Sequence, residues 1–440
     1  MNKYRMDMRS HYSDEITPKL DGREVSLCGW VHEIRDLGGL KFIILRDRGG
    51  FIQITAKKGT TNEEIMNKID KISKESILKI DGLVVRNDKA PRGVEIIPRK
   101  IYMISRAKSP LPLDVTQKVR ADLDTRLNNR FMDLRKPEIA SIFKIRSKVL
   151  NVGRNFLIRN GFIEINSPKI IASASEGGTE LFPISYFDRE AFLAQSPQLY
   201  KQMMMATGLD RVFEVTTYFR AEEHDTRRHL NEVTAIDVEI AFIRDENDVI
   251  NVLEDLIIEI INGASECHNE LKILKKEIEI PKKPIKRITY DRVIDILNDN
   301  GKMIEWGDDL DTEAEKILGR IMMEEFNSEL YFITKYPLEI KPFYTMPDNE
   351  KYSRAFDLGY KGVEISSGSQ RIHDPELLVE RIKKKNLNPE NFEFYINAFR
   401  YGMPPHGGFG LGIDRVMMQL LDLQIREVVL FPRDRHRLTP

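Results

Sequence analysis

The chain has 440 residues, of which 41% are hydrophobic and 31% are charged, and 68 Lys and Arg residues balance 69 Asp and Glu residues. This length is enough for two or three domains with a substantial core, and the composition is typical of a soluble globular protein. The two cysteines, Cys28 and Cys267, lie far apart and in no CxxC spacing, which argues against a disulfide framework or a cysteine-based zinc site and indicates a reducing compartment.

The formal net charge of -1 neither predicts nor excludes a nucleic-acid partner, because a local patch of charge matters more than the sum. The opening stretch, MNKYRMDMRSHYSDE, is polar and has no apolar h-region, so a signal peptide is not expected. No run approaches the roughly 18 apolar residues that a membrane span needs. We therefore expect a cytoplasmic protein without a membrane segment.

Residues 20–105 contain five segments rich in Val, Ile and Phe, which predict strands separated by turns with Gly and Asp: EVSLCGWVHEI, KFIILRDR, FIQITAK, ILKIDGLVVRN and GVEIIPRKIYMIS. A stretch with isoleucines at helical spacing, TNEEIMNKIDKISKES, lies between the third and fourth strands. This order is typical of an OB-fold barrel, a common binder of single-stranded nucleic acid, although other small barrels share it.

A polar, proline-containing connector follows, and then a helix is predicted from Pro137 to a cap at Gly161. The remainder mixes helices and strands without regular βαβ alternation, which favours an antiparallel α+β domain over a doubly wound one. We therefore predict an α+β protein with an OB-fold domain over residues 1–107, a linker or hinge over 108–136 and a larger domain over 137–440.

Three stretches of the larger domain carry unusual chemistry: GFIEINSP, the charged segment FRAEEHDTRRHLNE over 219–232, and the glycine-rich segment GGFGLGIDR over 407–415. Each has an ordinary explanation, since a charge run is usually a solvated hairpin tip and glycines also permit close backbone packing. The glycine run nevertheless leads into Arg415 and an apolar helix, and a helix N-terminus beside an Arg suits a phosphate.

Taken in this order, the three stretches resemble motifs 1, 2 and 3 of the class II aminoacyl-tRNA synthetases. The OB-fold in front of them resembles the subclass that charges aspartate, asparagine and lysine. QSPQLYKQ, EISSGSQR and the closing LFPRDRHRLTP are similar to aspartyl-tRNA synthetases of the archaeal type. The resemblance covers essentially the whole chain and implies a catalytic domain on an antiparallel sheet with flanking helices, and a homodimer whose interface includes motif 1.

The resemblance implies that the charged hairpin holds ATP and that the catalytic residues are Arg220, Arg415 and Glu364. Arg220 would bridge the α-phosphate and the amino-acid carboxylate, and Arg415 would lie against the adenine and the γ-phosphate. Val233 stands where the family usually has an aromatic residue on the adenine face. The implied ATP-binding residues are Arg220, Glu222, Arg228, His229, Leu230, Glu364, Gly412, Ile413, Asp414 and Arg415.

Magnesium is the implied cofactor. FDLGYKGVEISSG is expected to fold as a hairpin that brings Asp357 and Glu364 across from one another, with Ser367 nearby. Carboxylate and hydroxyl oxygens suit Mg²⁺, which keeps waters and substrate phosphates as its other ligands. Two acidic residues seven apart are normally unrelated surface groups, so this metal site depends on the match of the whole motif.

A substrate side chain with a carboxylate requires cations in its pocket. The resemblance places Lys201 and Arg371 there and gives Asp237 the task of orienting them. Asparaginyl enzymes, which share the fold, carry an acidic residue where Lys201 stands, and a lysine pocket would need acidic groups. Glu176 lies in a segment that resembles a loop closing over the amino acid, although a plain loop carboxylate is about as reasonable. The implied aspartate-binding residues are Glu176, Gln198, Lys201, Arg220, Asp237, Ser367 and Arg371.

Three alternative functions stay open. An asparaginyl-tRNA synthetase shares the fold, and a small-molecule ligase of the asparagine-synthesising type shares the catalytic domain but has no use for an OB barrel. A regulatory paralogue would lose the catalytic arginines, whereas Arg220, Arg371 and Arg415 are all present.

The barrel is expected to read the anticodon through Arg35, Phe42, Gln53 and Glu95, although alternation alone makes Phe42 a core residue. The anticodons of tRNA(Asp) and tRNA(Asn) differ only at the third base, C against U. Archaeal-type enzymes specific for tRNA(Asp) resemble one another in having Trp after GWV and Lys before the last barrel strand. His32 and Pro91 stand at these places, which favours a non-discriminating enzyme whose Asp-tRNA(Asn) would supply an amidotransferase. Neutral surface drift and a discriminating enzyme are the alternatives.

Overall fold

The computed structural model describes residues 8–116, 118–172, 181–221 and 229–440. The chain divides into two compact units, Met1–Ile139 and Ala140–Pro440. The boundary between them falls in the first turn of a long helix that begins at Pro137. The division into 1–107, 108–136 and 137–440 stays a prediction. Among the helices described, none combines the length and the apolar character that crossing a bilayer requires.

The first unit is built on a closed five-stranded barrel in the order β1-β2-β3-β5-β4, which confirms the predicted OB-fold. Strand alternation explains it, because Ile43 and Leu45 point into the buried barrel core while Phe42 and Ile44 are half-buried on its outer face. The elements of this unit are β1 Glu24–Asp36, β2 Leu40–Asp47, β3 Gly50–Lys57, α1 Glu63–Ile69, β4 Ile77–Arg86, β5 Val94–Ser105, α2 Leu123–Asn128 and α3 Arg130–Asp133.

The second unit contains the remaining elements. Its helices are α4 Pro137–Arg159, which begins just before the boundary, α5 Gln198–Met205, α6 Glu246–Ser265, α7 His268–Leu274, α8 Tyr290–Asp299, α9 Thr312–Phe326, α10 Pro375–Lys384, α11 Glu393–Arg400, α12 Ile413–Leu421 and α13 Ile425–Val428. Its strands are β6 Ile163–Glu164, β7 Ile170–Ile171, β8 Pro183–Tyr186, β9 Arg189–Leu193, β10 Arg211–Phe219, β11 Glu232–Ala241, β12 Lys286–Thr289, β13 Leu330–Thr334, β14 Ala355–Tyr360, β15 Val363–Arg371 and β16 His406–Gly412.

Eight of these strands form one sheet in the order β12-β13-β14-β15-β16-β11-β10-β6. The six central strands pair antiparallel, as predicted, while β12 and β6 pair parallel at the two edges. The charged stretch of the sequence connects β10 to β11 and the glycine-rich stretch forms β16. All three sequence motifs therefore belong to neighbouring strands of one sheet.

The glycines of β16 serve close packing inside the sheet. A Cβ on Gly408 would collide with the carbonyl oxygen of Val238 and the carboxylate of Glu239. A larger residue at this position would therefore displace a buried carboxylate beneath the site described below. The segment becomes a helix only at Ile413, where α12 begins.

Candidate active site

A cleft of about 1130 Å³, including its open mouth, lies over the centre of the large sheet. The predicted site residues that line it come from α5, the segment between β10 and β11, β11, β15, β16 and α12, and they are Gln198, Lys201, Arg220, His229, Leu230, Asp237, Glu364, Ser367, Arg371, Gly412, Asp414 and Arg415. Asp357 lines an adjoining cavity that shares Arg220, Glu364 and Arg415 with the cleft. Glu176, Glu222 and Arg228 lie outside the described residues.

Two cations and two carboxylates are buried together at one end of this cleft. Lys201 Nζ lies 2.9 Å from Asp237 Oδ1 and 3.5 Å from Glu239 Oε2. Arg371 Nε lies 3.0 Å from Glu239 Oε1, and its Nη1 donates to Ser369 Oγ at 2.8 Å. The formal charges cancel, which is how buried charges are usually tolerated.

The two carboxylates respond differently to this setting. Burial raises the pKa of Asp237, and Lys201 only partly offsets that effect. Burial also acts to raise the pKa of Glu239, but Arg371, Lys201 and His406 outweigh it, so this pKa lies below its ordinary value. Glu239 is therefore the carboxylate that stays ionised and holds Arg371 and Lys201 in place.

Arg220 is positioned by its backbone at the end of β10. Its N–H donates to the carbonyl oxygen of Asn231 at 2.9 Å, and Asn231 Nδ2 donates back to the carbonyl oxygen of Arg220 at 2.8 Å. The guanidinium lies 5.3 Å from the ring centre of Tyr218, which lines the cleft. Tyr218 pairs across the strands with Val233, so an aromatic ring faces the cleft beside the position where the sequence lacks one.

On the opposite side of the cleft, Arg415 Nη1 donates to the backbone oxygen of Glu364 at 2.9 Å. Burial, followed by repulsion from Asp357, raises the pKa of Glu364 to about 7. Lys341 Nζ lies 2.8 Å from Asp357 Oδ2, while Asp357 Oδ1 is buried without a hydrogen-bond partner among the described residues. Arg415 Nη1 also lies 3.8 Å from Glu364 Oε1, so each of the two carboxylates has one cation beside it, and the two carboxylates still repel one another.

The hairpin of β14 and β15 forms as predicted, but its register differs from the expectation that Asp357 and Glu364 are directly opposite. Asp357 pairs with Ser367, and Glu364 pairs with Gly359, two residues farther along β14; a bulge between Leu358 and Gly359 changes the register by one residue between these two pairs. Glu364 and Asp357 nevertheless line the same cavity. The described ranges contain no group of three or more His, Cys, Asp or Glu residues placed to hold a metal.

Two of the predicted ATP-binding residues use their side chains elsewhere. Ile413 is fully buried and does not line the cleft. Asp414 borders the cleft, but its carboxylate accepts from the backbone N–H of Thr234 at 2.8 Å and pairs with Arg146 at 2.6 Å. Ile413 and Asp414 can therefore offer a nucleotide their backbone groups rather than their side chains.

Sequence reasoning missed Glu239, Lys341 and Tyr218. The sequence contained a signal for Glu239, because Glu239 lies two residues after Asp237 on one strand and alternation places both side chains on the same face. Lys341 had none, since it belongs to an irregular segment between β13 and β14 that only the tertiary structure brings to Asp357.

Residues 122–435 match the family model described as tRNA synthetases class II (D, K and N), and residues 25–104 match the OB-fold nucleic acid binding domain. The chain belongs to the class II tRNA synthetases. This confirms the resemblance on which the predicted site rests.

The synthetase is similar over its whole length to enzymes with different partners. It is 59% identical to the aspartate–tRNA(Asp) ligase of Pyrococcus abyssi over 437 residues, which cover 98% of this chain and 100% of that protein. It is 56% identical to the aspartate–tRNA(Asp/Asn) ligase of Methanocaldococcus jannaschii over 436 residues, 98% of each chain. The crystal structure of asparaginyl-tRNA synthetase from Pyrococcus horikoshii complexed with asparaginyl-adenylate is 34% identical, with a TM-score of 0.90, and the match covers 99% of this chain and 100% of that one. The shared fold therefore leaves the choice of substrate to individual side chains.

The barrel of the synthetase brings the four predicted anticodon residues onto one outer face. Arg35 pairs with Phe42 across β1 and β2, and Phe42 pairs with Thr55 across β2 and β3. Gln53 Nε2 donates to Glu95 Oε2 at 3.0 Å, and Thr55 donates to the same oxygen. Phe42 lies outside the barrel core, which removes the main objection to a binding role.

His32 of the synthetase is the extra residue of a bulge in β1, between Val31 and Glu33. Its ring centre lies 4.9 Å from that of Phe51, and its Nδ1 lies 3.1 Å from Arg46 Nη1. A guanidinium only donates, so Nδ1 accepts and the neutral ring carries its proton on Nε2. Burial, followed by the charge of Arg46, lowers the pKa of His32 and keeps it neutral.

Pro91 begins a short 3-10 turn in the loop before β5. The same loop contains Asn87, whose Nδ2 donates to Glu95 Oε1 at 2.9 Å. The loop with Pro91 and the predicted anticodon surface are therefore linked through Glu95.

Proposed function

We propose that this synthetase activates L-aspartate with ATP and transfers it to tRNA(Asp) and tRNA(Asn). The observation that carries the amino-acid assignment is the pair of buried cations, Lys201 and Arg371, at one end of the cleft. A side-chain carboxylate offers two acceptor oxygens to these cations, whereas the ammonium of lysine would be repelled and the amide of asparagine would turn an NH₂ donor toward groups that only donate. An asparaginyl enzyme would carry an acidic residue at position 201.

The reaction needs no protein nucleophile. The substrate carboxylate attacks the α-phosphorus in line, pyrophosphate leaves, and negative charge spreads over the phosphate oxygens. Arg220, whose backbone is held by Asn231, would bridge the carboxylate and the α-phosphate. Arg415, held by the Glu364 carbonyl oxygen, would lie against the adenine and the far phosphates. The guanidinium of Arg415 and the backbone of Arg220 are held before the substrate arrives, which limits the reorganisation needed during the reaction.

The carboxylates of Asp357 and Glu364 fit a divalent cation. Asp357 Oδ1 has no hydrogen-bond partner among the described residues, and repulsion from Asp357 adds to burial in raising the pKa of Glu364. Asp357, Glu364 and the exposed Ser367 would hold Mg²⁺, which when bound supplies positive charge for the phosphates. Without it, the two carboxylates would repel the triphosphate.

The assignment of the amino acid is tested by ATP–pyrophosphate exchange with aspartate, asparagine and lysine in parallel. Exchange with aspartate alone supports the proposal. Exchange with asparagine alone would make the protein an asparaginyl-tRNA synthetase. Ammonia-dependent amide formation without aminoacylation would indicate an asparagine-synthesising ligase, and no activity at all would indicate a regulatory paralogue.

A homodimer through motif 1 is part of the same proposal. Ile158 on α4, Ile163 on β6 and Ile170 on β7 are 52%, 46% and 48% exposed, which is unusual for three isoleucines of one segment. Burial against a second copy would remove this apolar surface from water. A cytoplasmic location and delivery of Asp-tRNA(Asn) to an amidotransferase follow as further parts of the proposal.

Use of both tRNAs rests on His32 and Pro91, because the compared ligases include both tRNA(Asp) and tRNA(Asp/Asn) enzymes. We expect kcat/KM for the two transcripts to differ by less than a hundredfold, about 2.7 kcal/mol. Changing His32→Trp together with Pro91→Lys is expected to weaken charging of tRNA(Asn) selectively. Trp has a larger ring than His and offers Arg46 no acceptor. Lys, unlike Pro, has a backbone N–H and an ammonium group that can donate hydrogen bonds.

The control for this pair is ATP–pyrophosphate exchange, which the double substitution should leave unchanged. A wild-type preference of a hundredfold or more for tRNA(Asp) would establish a discriminating enzyme and overturn this part of the proposal. An equal loss with both transcripts would show that positions 32 and 91 affect tRNA binding in general rather than the selection between tRNA(Asp) and tRNA(Asn).

Phe42→Ala is expected to lower kcat/KM for aminoacylation roughly 5- to 150-fold, because a base stacked on an aromatic ring contributes about 1–3 kcal/mol. ATP–pyrophosphate exchange should be unaffected, since it uses no tRNA. Tyr102→Ala serves as the control, because Tyr102 is an exposed aromatic on β5 outside the predicted anticodon set. Equal losses in both assays would return Phe42 to a structural role.

A further inference from the structure

A row of buried polar groups runs from Arg371 away from the cleft. Arg371 Nη2 lies 3.5 Å from Gln198 Oε1, and Gln198 Nε2 lies 2.7 Å from Gln202 Oε1. Gln202 Nε2 lies 3.0 Å from His406 Nε2, and His406 Nδ1 lies 2.9 Å from the carbonyl oxygen of Pro404. Gln202 and His406 are fully buried, and neither lines the cleft.

The two ends of this row fix the direction of every hydrogen bond in it. The Pro404 carbonyl only accepts, so His406 Nδ1 must carry a proton and the neutral ring accepts at Nε2. Gln202 must then present its NH₂ to His406 and its oxygen to Gln198. Gln198 must in turn present its NH₂ to Gln202, which leaves its oxygen for Arg371. Arg371 only donates and therefore needs the oxygen of Gln198 to face it. This is the same orientation of Gln198 that the Pro404 carbonyl imposes from the other end of the row.

We propose that Gln202 and His406 are positioning residues that hold the Gln198 carbonyl toward Arg371 and so set Arg371 for the side-chain carboxylate of the substrate. With Gln198 reversed, its NH₂ would face the guanidinium, and two donors would meet in a buried place. Arg371 would then keep its contacts with Glu239, Ser369 and the ring of Tyr344 but lose the acceptor on the Gln198 side. Selection of a carboxylate over an amide would weaken, because it depends on where this guanidinium points.

The state of His406 agrees with this role. A doubly protonated ring would present an N–H to the NH₂ of Gln202, so Gln202 would have to reverse and the hydrogen bonds of the row would no longer match. Burial lowers the pKa of His406 to about 4, and of the charged and titratable groups around it Glu239 opposes that shift while Arg371 and His373 add to it. The ring is therefore neutral near pH 7, as the row requires.

The inference rests on the proposed aspartate pocket, and Gln202→Met tests it because Met has a similar volume and no amide. We expect KM for aspartate in ATP–pyrophosphate exchange to rise tenfold or more. KM for ATP should stay within twofold, and the preference for aspartate over asparagine should fall about tenfold. Gln370→Met is the matched control. Gln370 is a buried glutamine next to Arg371 on β15, and it accepts from Arg354 at 2.7 Å outside the row. This control should leave both KM values within twofold of the wild type.

A second pair of variants keeps the test decisive if Gln202→Met fails to fold. His406→Gln retains an acceptor for Gln202, whereas His406→Met does not, so KM for aspartate should rise less than threefold in the first and tenfold or more in the second. Equal effects of the two variants, or a rise in KM for ATP that matches the rise for aspartate, would overturn the inference. Absence of aspartate-dependent exchange in the wild type would instead refute the proposed function, so the two failures are distinguishable.

Discussion

Glu364→Gln is expected to lower aspartate-dependent ATP–pyrophosphate exchange about a thousandfold while the protein stays folded. The substitution keeps the shape of the side chain but removes one of the two carboxylates that fit the cation. Loss of a fixed electrostatic contact to the transition state typically lowers kcat by about a hundred- to a thousandfold. Arg415 Nη1 donates to the backbone oxygen of Glu364 at 2.9 Å and lies farther, 3.8 Å, from the carboxylate, so it should keep its position.

The measurement is the exchange rate at saturating aspartate over a range of magnesium concentrations, with thermal unfolding to verify the fold. Glu329→Gln is a suitable control, because Glu329 is a carboxylate paired with Lys361 at 3.3 Å outside the cleft. Exchange in Glu364→Gln equal to that of the control would remove Glu364 from the metal site and from the catalytic set.

Lys201→Met is expected to lower kcat/KM for aspartate by a similar factor, about a thousandfold. The change leaves Asp237 and Glu239 facing Arg371 alone, so the buried group becomes net negative before the substrate carboxylate enters. Truncating one partner of a buried, hydrogen-bonded charge pair costs about 2–5 kcal/mol of binding free energy. The loss should appear mainly in KM for aspartate, because Lys201 is assigned to the side-chain carboxylate, which takes no part in the attack on the α-phosphorus.

Lys335→Met is the matched control, since Lys335 forms ion pairs with Glu246 at 3.2 Å and Asp348 at 3.0 Å and does not line the cleft. Asparagine should be activated no better by Lys201→Met than by the wild type, because the unbalanced carboxylates leave no stable place for an uncharged side chain. A variant that kept normal affinity for aspartate would refute the assignment of Lys201 to the carboxylate and, with it, the chosen amino acid.

The prediction of most site residues rests on the resemblance to the class II synthetases rather than on periodicity. The structure places Lys201 one turn into α5 and Asp237 and Arg371 on β11 and β15, all three buried. The barrel could be predicted from the sequence pattern itself, because five strands with one helix between the third and fourth are typical of an OB-fold. Phe42 is the instructive exception: alternation alone suggested the core, because apolar residues occupy both faces of this strand, yet closure of the barrel places Ile43 and Leu45 inside and leaves Phe42 on the outer face.

By itself, the sequence determined the two folds, the order of the three motifs and the presence of cations suited to a carboxylate, because these depend on local periodicity and on residue type. The tertiary structure decided which groups neutralise one another. Glu239 pairs with Arg371, Gln198 contacts Arg371 and Gln202 contacts His406, and these partners lie 132, 173 and 204 positions apart; Lys341 reaches Asp357 across 16 positions. Such contacts depend on strand order and register, and the register of the β14–β15 hairpin places Glu364 opposite Gly359 rather than opposite Asp357.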